Sequence, residues 1–143
     1  MENDLKEAKN KFSAMALRYF YLQAHYRSKQ NFTWEALNAA GKAYEKMVKK
    51  LISCGKECDY KDFQVSKEWK GKFIKEVEND FNMPGALGVA WKMLKSDLAP
   101  NYKVGTLLDF DKIFGLDLDN LLLASAFTNT MATTFNKLTK NKK

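Results

Sequence analysis

The sequence predicts an all-α protein, an antiparallel bundle of about five to six helices with short connections. Three observations predict it. Apolar residues recur at three- and four-residue steps in successive stretches, no stretch alternates apolar and polar residues as a half-buried strand does, and residues suited to helix starts and stops separate the stretches. At 143 residues the chain is long enough to bury one core, and 45% hydrophobic with 29% charged residues is ordinary for a globular protein.

In order along the chain, Leu5 to Lys9 reads as a short helical lead-in, Asn10 to Ser13 as a break, and Ser13 as a cap for the helix after it. Met15 to Ala24 is apolar almost all round, which on a helix means burial on most sides. The polar exceptions are few, and two of the polar residues here, Arg18 and His25, lie seven positions apart and so on one narrow stripe. This helix is expected to end near Arg27, before the polar turn Ser28–Asn31, and the stretch Ala16–Leu37 reads as the one the chain is organised around.

Thr33 is a good N-cap for a second helix running from Trp34 to about Ile52, with Glu35 placed to suit the helix dipole. Leu37, Ala40, Tyr44, Met47 and Leu51 make its apolar stripe. Lys42, Lys46, Lys49 and Lys50 occupy the other side, relieved by Glu45, and Gly55 is expected to end the helix. Lys56 to Val65 reads as a loop anchored by Tyr60 and Phe63. Ser66 caps a third helix with Trp69, Phe73, Val77 and, at its end, Phe81 as its apolar positions.

Pro84 belongs in the first turn of a fourth helix, entered through Asn82 or Met83, with Leu87, Trp91, Leu94 and Leu98 on one side. Gly85 and Gly88 weaken that helix unless its backbone packs closely on a neighbour there. Pro100 stops it. Tyr102 to Phe114 gives a fifth helix with Val104, Leu107, Leu108 and Phe114 inward and Gly115 as a left-handed C′ residue. Asp119 opens a last helix through Leu123, Phe127, Met131, Phe135 and Leu138, although threonines at 128, 130, 133 and 134 make it a poor helix by propensity. The expected division is a bundle over 1–118 and a C-terminal helix with basic tail over 119–143.

The net charge of +7 is concentrated in two places. Residues 27–53 carry six basic and two acidic side chains, and residues 121–143 carry four lysines and no acid. Such a balance suits a polyanionic partner, and equally a solvated lysine-rich surface, since only Arg18 and Arg27 of the 24 basic residues are arginine. No run of 18 apolar residues exists and the N-terminus has no apolar signal core, so the expectation is a cytoplasmic protein without a membrane partner. Cys54 and Cys58, with a single histidine far off, supply too few soft ligands for zinc and read as reduced thiols.

No catalytic set assembles. The seven glycines are isolated, so no phosphate loop exists, and Asp109 and Asp111 are two apart and face different ways on a helix. The candidates are for RNA binding. His25, Tyr26 and Arg27 at the mouth of a polar turn have the chemistry to meet a ribose hydroxyl, stack on a base and pair with a phosphate. The structural alternative is that they pack, satisfy a helix-end carbonyl and offset the dipole. Arg18, on the same stripe, joins them, as do Lys29 in the turn and Lys42, Lys46 and Lys49 on the second helix. The aromatic residues Trp69, Phe73 and Trp91, at helical spacing, read as core.

Leu-Arg-Tyr-Phe at 17–20, His-Tyr-Arg-Ser at 25–28 and Asn-Phe-Thr-Trp-Glu-Ala-Leu at 31–37 resemble the start of the helical anticodon-side domain of cysteinyl-tRNA synthetases. A second block, Asn-Met-Pro-Gly-Ala-Leu at 82–87 followed by Leu-Leu-Asp-Phe-Asp-Lys-Ile-Phe-Gly-Leu at 107–116, occurs in the family's order and at about its spacing. The resemblance covers roughly Leu5 to Leu118. It implies a parent enzyme that joins cysteine to its tRNA using ATP, with zinc and the nucleotide-binding motifs in a catalytic domain that has no counterpart here. This chain alone is therefore expected to be inactive and to need no cofactor. The resembling bundle packs along the anticodon arm, so tRNA is the implied partner, with the parent's catalytic domain a second one. After Leu118 the family continues with helices rich in arginine and alanine and a small anticodon-reading module, whereas Ala124–Lys143 resembles none of that. Two other readings stay open: the bundle of a related ligase joining cysteine to an amino sugar, and a non-catalytic protein-interaction bundle.

Overall fold

The computed structural model describes residues 14–140, and these are all helical apart from connections. Among the described residues six helices follow one another: α1 (Ala14–Leu22), α2 (Trp34–Lys56), α3 (Lys67–Glu78), α4 (Met83–Lys95), α5 (Pro100–Phe114) and α6 (Leu118–Lys140). No strand occurs among the described residues. The lead-in Leu5–Lys9, the break Asn10–Ser13 and the Ser13 cap lie outside them.

The core is built on α2 and α5. The stripe Leu37, Ala40, Tyr44, Met47 and Leu51 is fully inside, as its period requires. From α5, Val104, Leu107, Phe110 and Phe114 meet it, and Phe73 of α3 stacks on Phe110 with ring centroids 4.0 Å apart and meets Phe114 edge-on. Leu87 and Leu94 of α4 are buried too, while Trp91 is half-buried and its indole N–H donates to the Tyr19 hydroxyl at 2.9 Å.

Three caps fall where the sequence puts them. Thr33, Ser66 and Asn82 accept bonds from Ala36, Trp69 and Gly85 N–H at the heads of α2, α3 and α4. Gly115 is left-handed (φ 63°, ψ 40°) at the end of α5. Gly55 does not end α2. It is buried one residue before the last, where an added Cβ would meet Leu122 at 2.8 Å. Helix α2 runs on to Lys56 because the Cys54 carbonyl still finds the Glu57 N–H.

Two expectations about the first helix need correction. It stops at Leu22, not near Arg27, since the Phe20 carbonyl is taken by Gln23 N–H and by the Gln30 amide at 2.7 Å. His25 therefore shares no helical stripe with Arg18. Nor is the helix buried on most sides: Ala16, Tyr19 and Phe20 are inside, but Tyr21 is 60% exposed. A nine-residue helix gives the bundle one face only.

Asp111 is also placed differently from a helix-surface acid. Its carboxylate is buried and accepts from Leu116 N–H at 2.7 Å and Leu118 N–H at 2.9 Å, so it joins the end of α5 to the start of α6. Burial pushes its carboxyl above the usual range, and the two N–H donors work against that rise. Nearby, the Tyr44 hydroxyl donates to Leu116 O at 3.0 Å, and burial, helped by Asp111 and Asp117, pushes it up to about 12. The 57–65 loop is tied down as expected: Tyr60 and Phe63 touch, Gln64 N–H donates to Asn101 O, and the Gln64 backbone lies on Gly105.

Candidate nucleic-acid interface

The turn after α1 is held from a distance. His25 Nε2 donates to the Asp80 carbonyl at 3.0 Å, and its Nδ1 accepts from Arg27 N–H at 3.3 Å. Tyr26 donates its hydroxyl to Asp80 Oδ1 at 2.7 Å, and Arg27 Nε donates to that hydroxyl at 2.9 Å. An Arg27 Nη1 to Asp80 Oδ2 contact of 3.4 Å completes the set. The bond to Asp80 and some burial push the Tyr26 phenol up, and Arg27 opposes that rise. His25 and Tyr26 stack at 4.8 Å.

Asp80 and Phe81 both adopt positive φ, 52° and 51°. For an aspartate that is tolerable, while for a phenylalanine it is uncommon, so the α3–α4 turn is held in a strained form by its contacts. Sequence reasoning misses Asp80. It lies 54 positions from Tyr26, and no local pattern signals such a pairing.

The candidates thus fall into three groups. His25, Tyr26 and Arg27 are brought together around Asp80, with the Arg27 side chain still 69% exposed. Arg18 has a structural partner, donating from Nη1 to Gly115 O at 3.0 Å at the end of α5. There a cation suits the negative end of the helix dipole. Arg18 also lines a groove of about 710 Å³ with Leu17, Tyr21, Tyr26, Phe81 and Met83. Lys29, Lys42, Lys46 and Lys49 are exposed, and none has an ion-pair partner among the described residues.

On α2 these lysines continue from Trp34, which is 41% exposed and touches Phe32 edge-on at 5.5 Å. Counting 100° per residue, Trp34, Lys42 and Lys49 share one outward face, with Lys46 at its edge. The face therefore begins in an aromatic ring and proceeds through ammonium groups. Three lysines elsewhere in the bundle have partners: Lys72 pairs with Glu68, and Lys70 and Lys112 pair with Asp109, whose carboxyl burial would raise, and hold it below the usual range.

Among the described residues no group of three or more His, Cys, Asp or Glu side chains is placed to hold a metal ion. Both cysteines are free thiols; Cys54 is buried and Cys58 donates to the Cys54 carbonyl. Among the described residues no helix is long and apolar enough to cross a membrane.

No family model matches the chain. Individual relatives do. The chain is 38% identical over 105 residues to cysteine–tRNA ligase 1 of Burkholderia lata, covering 73% of this chain and 21% of that protein. It is 35% identical over 91 residues to the cysteine–tRNA ligase of a Picosynechococcus species, covering 64% and 19%. With the cysteine–tRNA ligase of Borreliella burgdorferi it shares 29% over 125 residues, covering 78% and 26%. The chain spans about a fifth to a quarter of the length of these relatives.

Proposed function

From a chain related over most of its length to one part of cysteine–tRNA ligases, we propose that this bundle docks on the anticodon arm of a tRNA, chiefly through its phosphates. One observation carries the proposal: Lys29, Lys42, Lys46 and Lys49 gather on the outer face of α2 and its preceding turn, all exposed and none with an ion-pair partner among the described residues. An ammonium that the fold leaves unpaired costs little to bring to a phosphate, because no ion pair has to break.

In this reading Lys29, Lys42, Lys46 and Lys49 hold successive phosphates and Trp34 offers a surface on which an unpaired base can stack. Arg27 contributes at the edge, since part of its charge is already matched by Asp80. His25 and Tyr26 set the shape of the turn that presents Arg27 and Lys29. Ligation of cysteine belongs, on this proposal, to the remaining length of a parent enzyme, and the bundle contributes grip.

Titration of labelled tRNA at several salt concentrations tests this. Contacts of this kind give dissociation constants of about 10⁻⁴–10⁻⁶ M at physiological salt, and three to four phosphates give a log–log salt slope of roughly −2 to −4. Little preference for the cysteine anticodon is expected. Tight binding that ignores salt would contradict the proposal.

A further inference from the structure

Helix α6 is 23 residues, about 35 Å long, and only its start is covered. Leu118 and Leu122 enter the core, but from Phe127 to Thr134 every residue is exposed. A helix this rich in threonine does not support itself in water, where most helical stability comes from packing an apolar face.

An apolar face exists, on the side away from the bundle. Leu123, Phe127 and Met131 are 60%, 69% and 58% exposed and follow one another at four-residue steps, with Phe135 next in the sequence register. The threonines do not interrupt it. Thr128, Thr130, Thr133 and Thr134 each donate the hydroxyl to the carbonyl four residues back, so these hydroxyls are satisfied within the helix.

Charge says what covers this face. Asp119 and Lys137 stand 18 positions apart, about five turns, and so share one flank of the stripe. An acid at the head of that flank and a base at its foot are complementary to the same flank run in reverse. We infer that the outer face of α6 pairs antiparallel with α6 of a second copy of this chain, with the two-fold axis near Asn129. That register lays Phe127 of one copy on Met131 of the other, sets position 123 level with position 135, and brings Asp119 within two residues, about 3 Å of helix rise, of the level of Lys137, twice by symmetry. A parallel pair would instead bring Asp119 level with Asp119. The inference is independent of the RNA reading.

Sedimentation equilibrium of the full chain, without RNA, over a wide concentration range tests it. The expected result is a reversible monomer–dimer equilibrium, lost in Phe127→Lys while the circular dichroism of the bundle persists. Asp119→Lys and Lys137→Asp should each weaken the dimer several-fold, and the two together should restore it, because the pair is only reversed. A protein that stays monomeric throughout overturns the inference, as does a dimer indifferent to Phe127→Lys. A dimer that the double charge exchange fails to restore overturns the antiparallel register.

Discussion

Asp111 and Asp80 show how much a single carboxylate does here. Both sit beyond the reach of a helix-level reading: Asp111 looks like any polar residue two positions from Asp109, and Asp80 like a turn residue. Asp111 accepts two buried N–H groups from the α5–α6 connection, and Asp80 holds Tyr26 and Arg27. The first is a stability residue, and its removal leaves two donors without an acceptor. Asp111→Ala should lower unfolding stability by roughly 2–4 kcal/mol in a denaturant titration. An effect within a few tenths of a kcal/mol would mean that water replaces the carboxylate. Neither role is legible in the sequence, because each depends on where a distant backbone arrives.

Elements are more legible than single residues. The stripe of α2 and the caps Thr33, Ser66 and Asn82 are local facts, set by periodicity and by the orphan N–H groups of a helix start, so they survive folding unchanged. The end of α1 escapes the sequence because apolar residues continue past Leu22, and it is Gln30, from the following turn, that takes the freed Phe20 carbonyl. Two helical glycines look alike in sequence and differ in space. An added Cβ at Gly105 would run into the Gln64 backbone, whereas at Gly88 it meets nothing within 4 Å. Gly105→Ala should therefore cost about 1–3 kcal/mol or more by overpacking against backbone that cannot retreat. Gly88→Ala should gain about 0.5–1 kcal/mol from the helix preference alone. Thermal melts of the two variants check the opposite signs.

For the whole molecule, the all-α fold is legible and its centre is not. The sequence points to Ala16–Leu37, yet a nine-residue helix cannot be covered on all sides, and the core forms where the longer α2 and α5 meet. The lysine face is legible as a face, since helical register alone sends Lys42, Lys46 and Lys49 outward; whether they meet RNA is a question of partner. The direct measurement replaces Lys29, Lys42, Lys46 and Lys49 together by alanine and compares tRNA affinity across salt with the unchanged protein. These side chains are exposed and form no ion pair among the described residues, so the bundle should keep its melting behaviour. The account predicts weaker binding to every tRNA tested, with the salt slope flattened by about one unit per lysine in contact. Unchanged affinity and an unchanged slope would contradict it and make the basic face a solvated surface only.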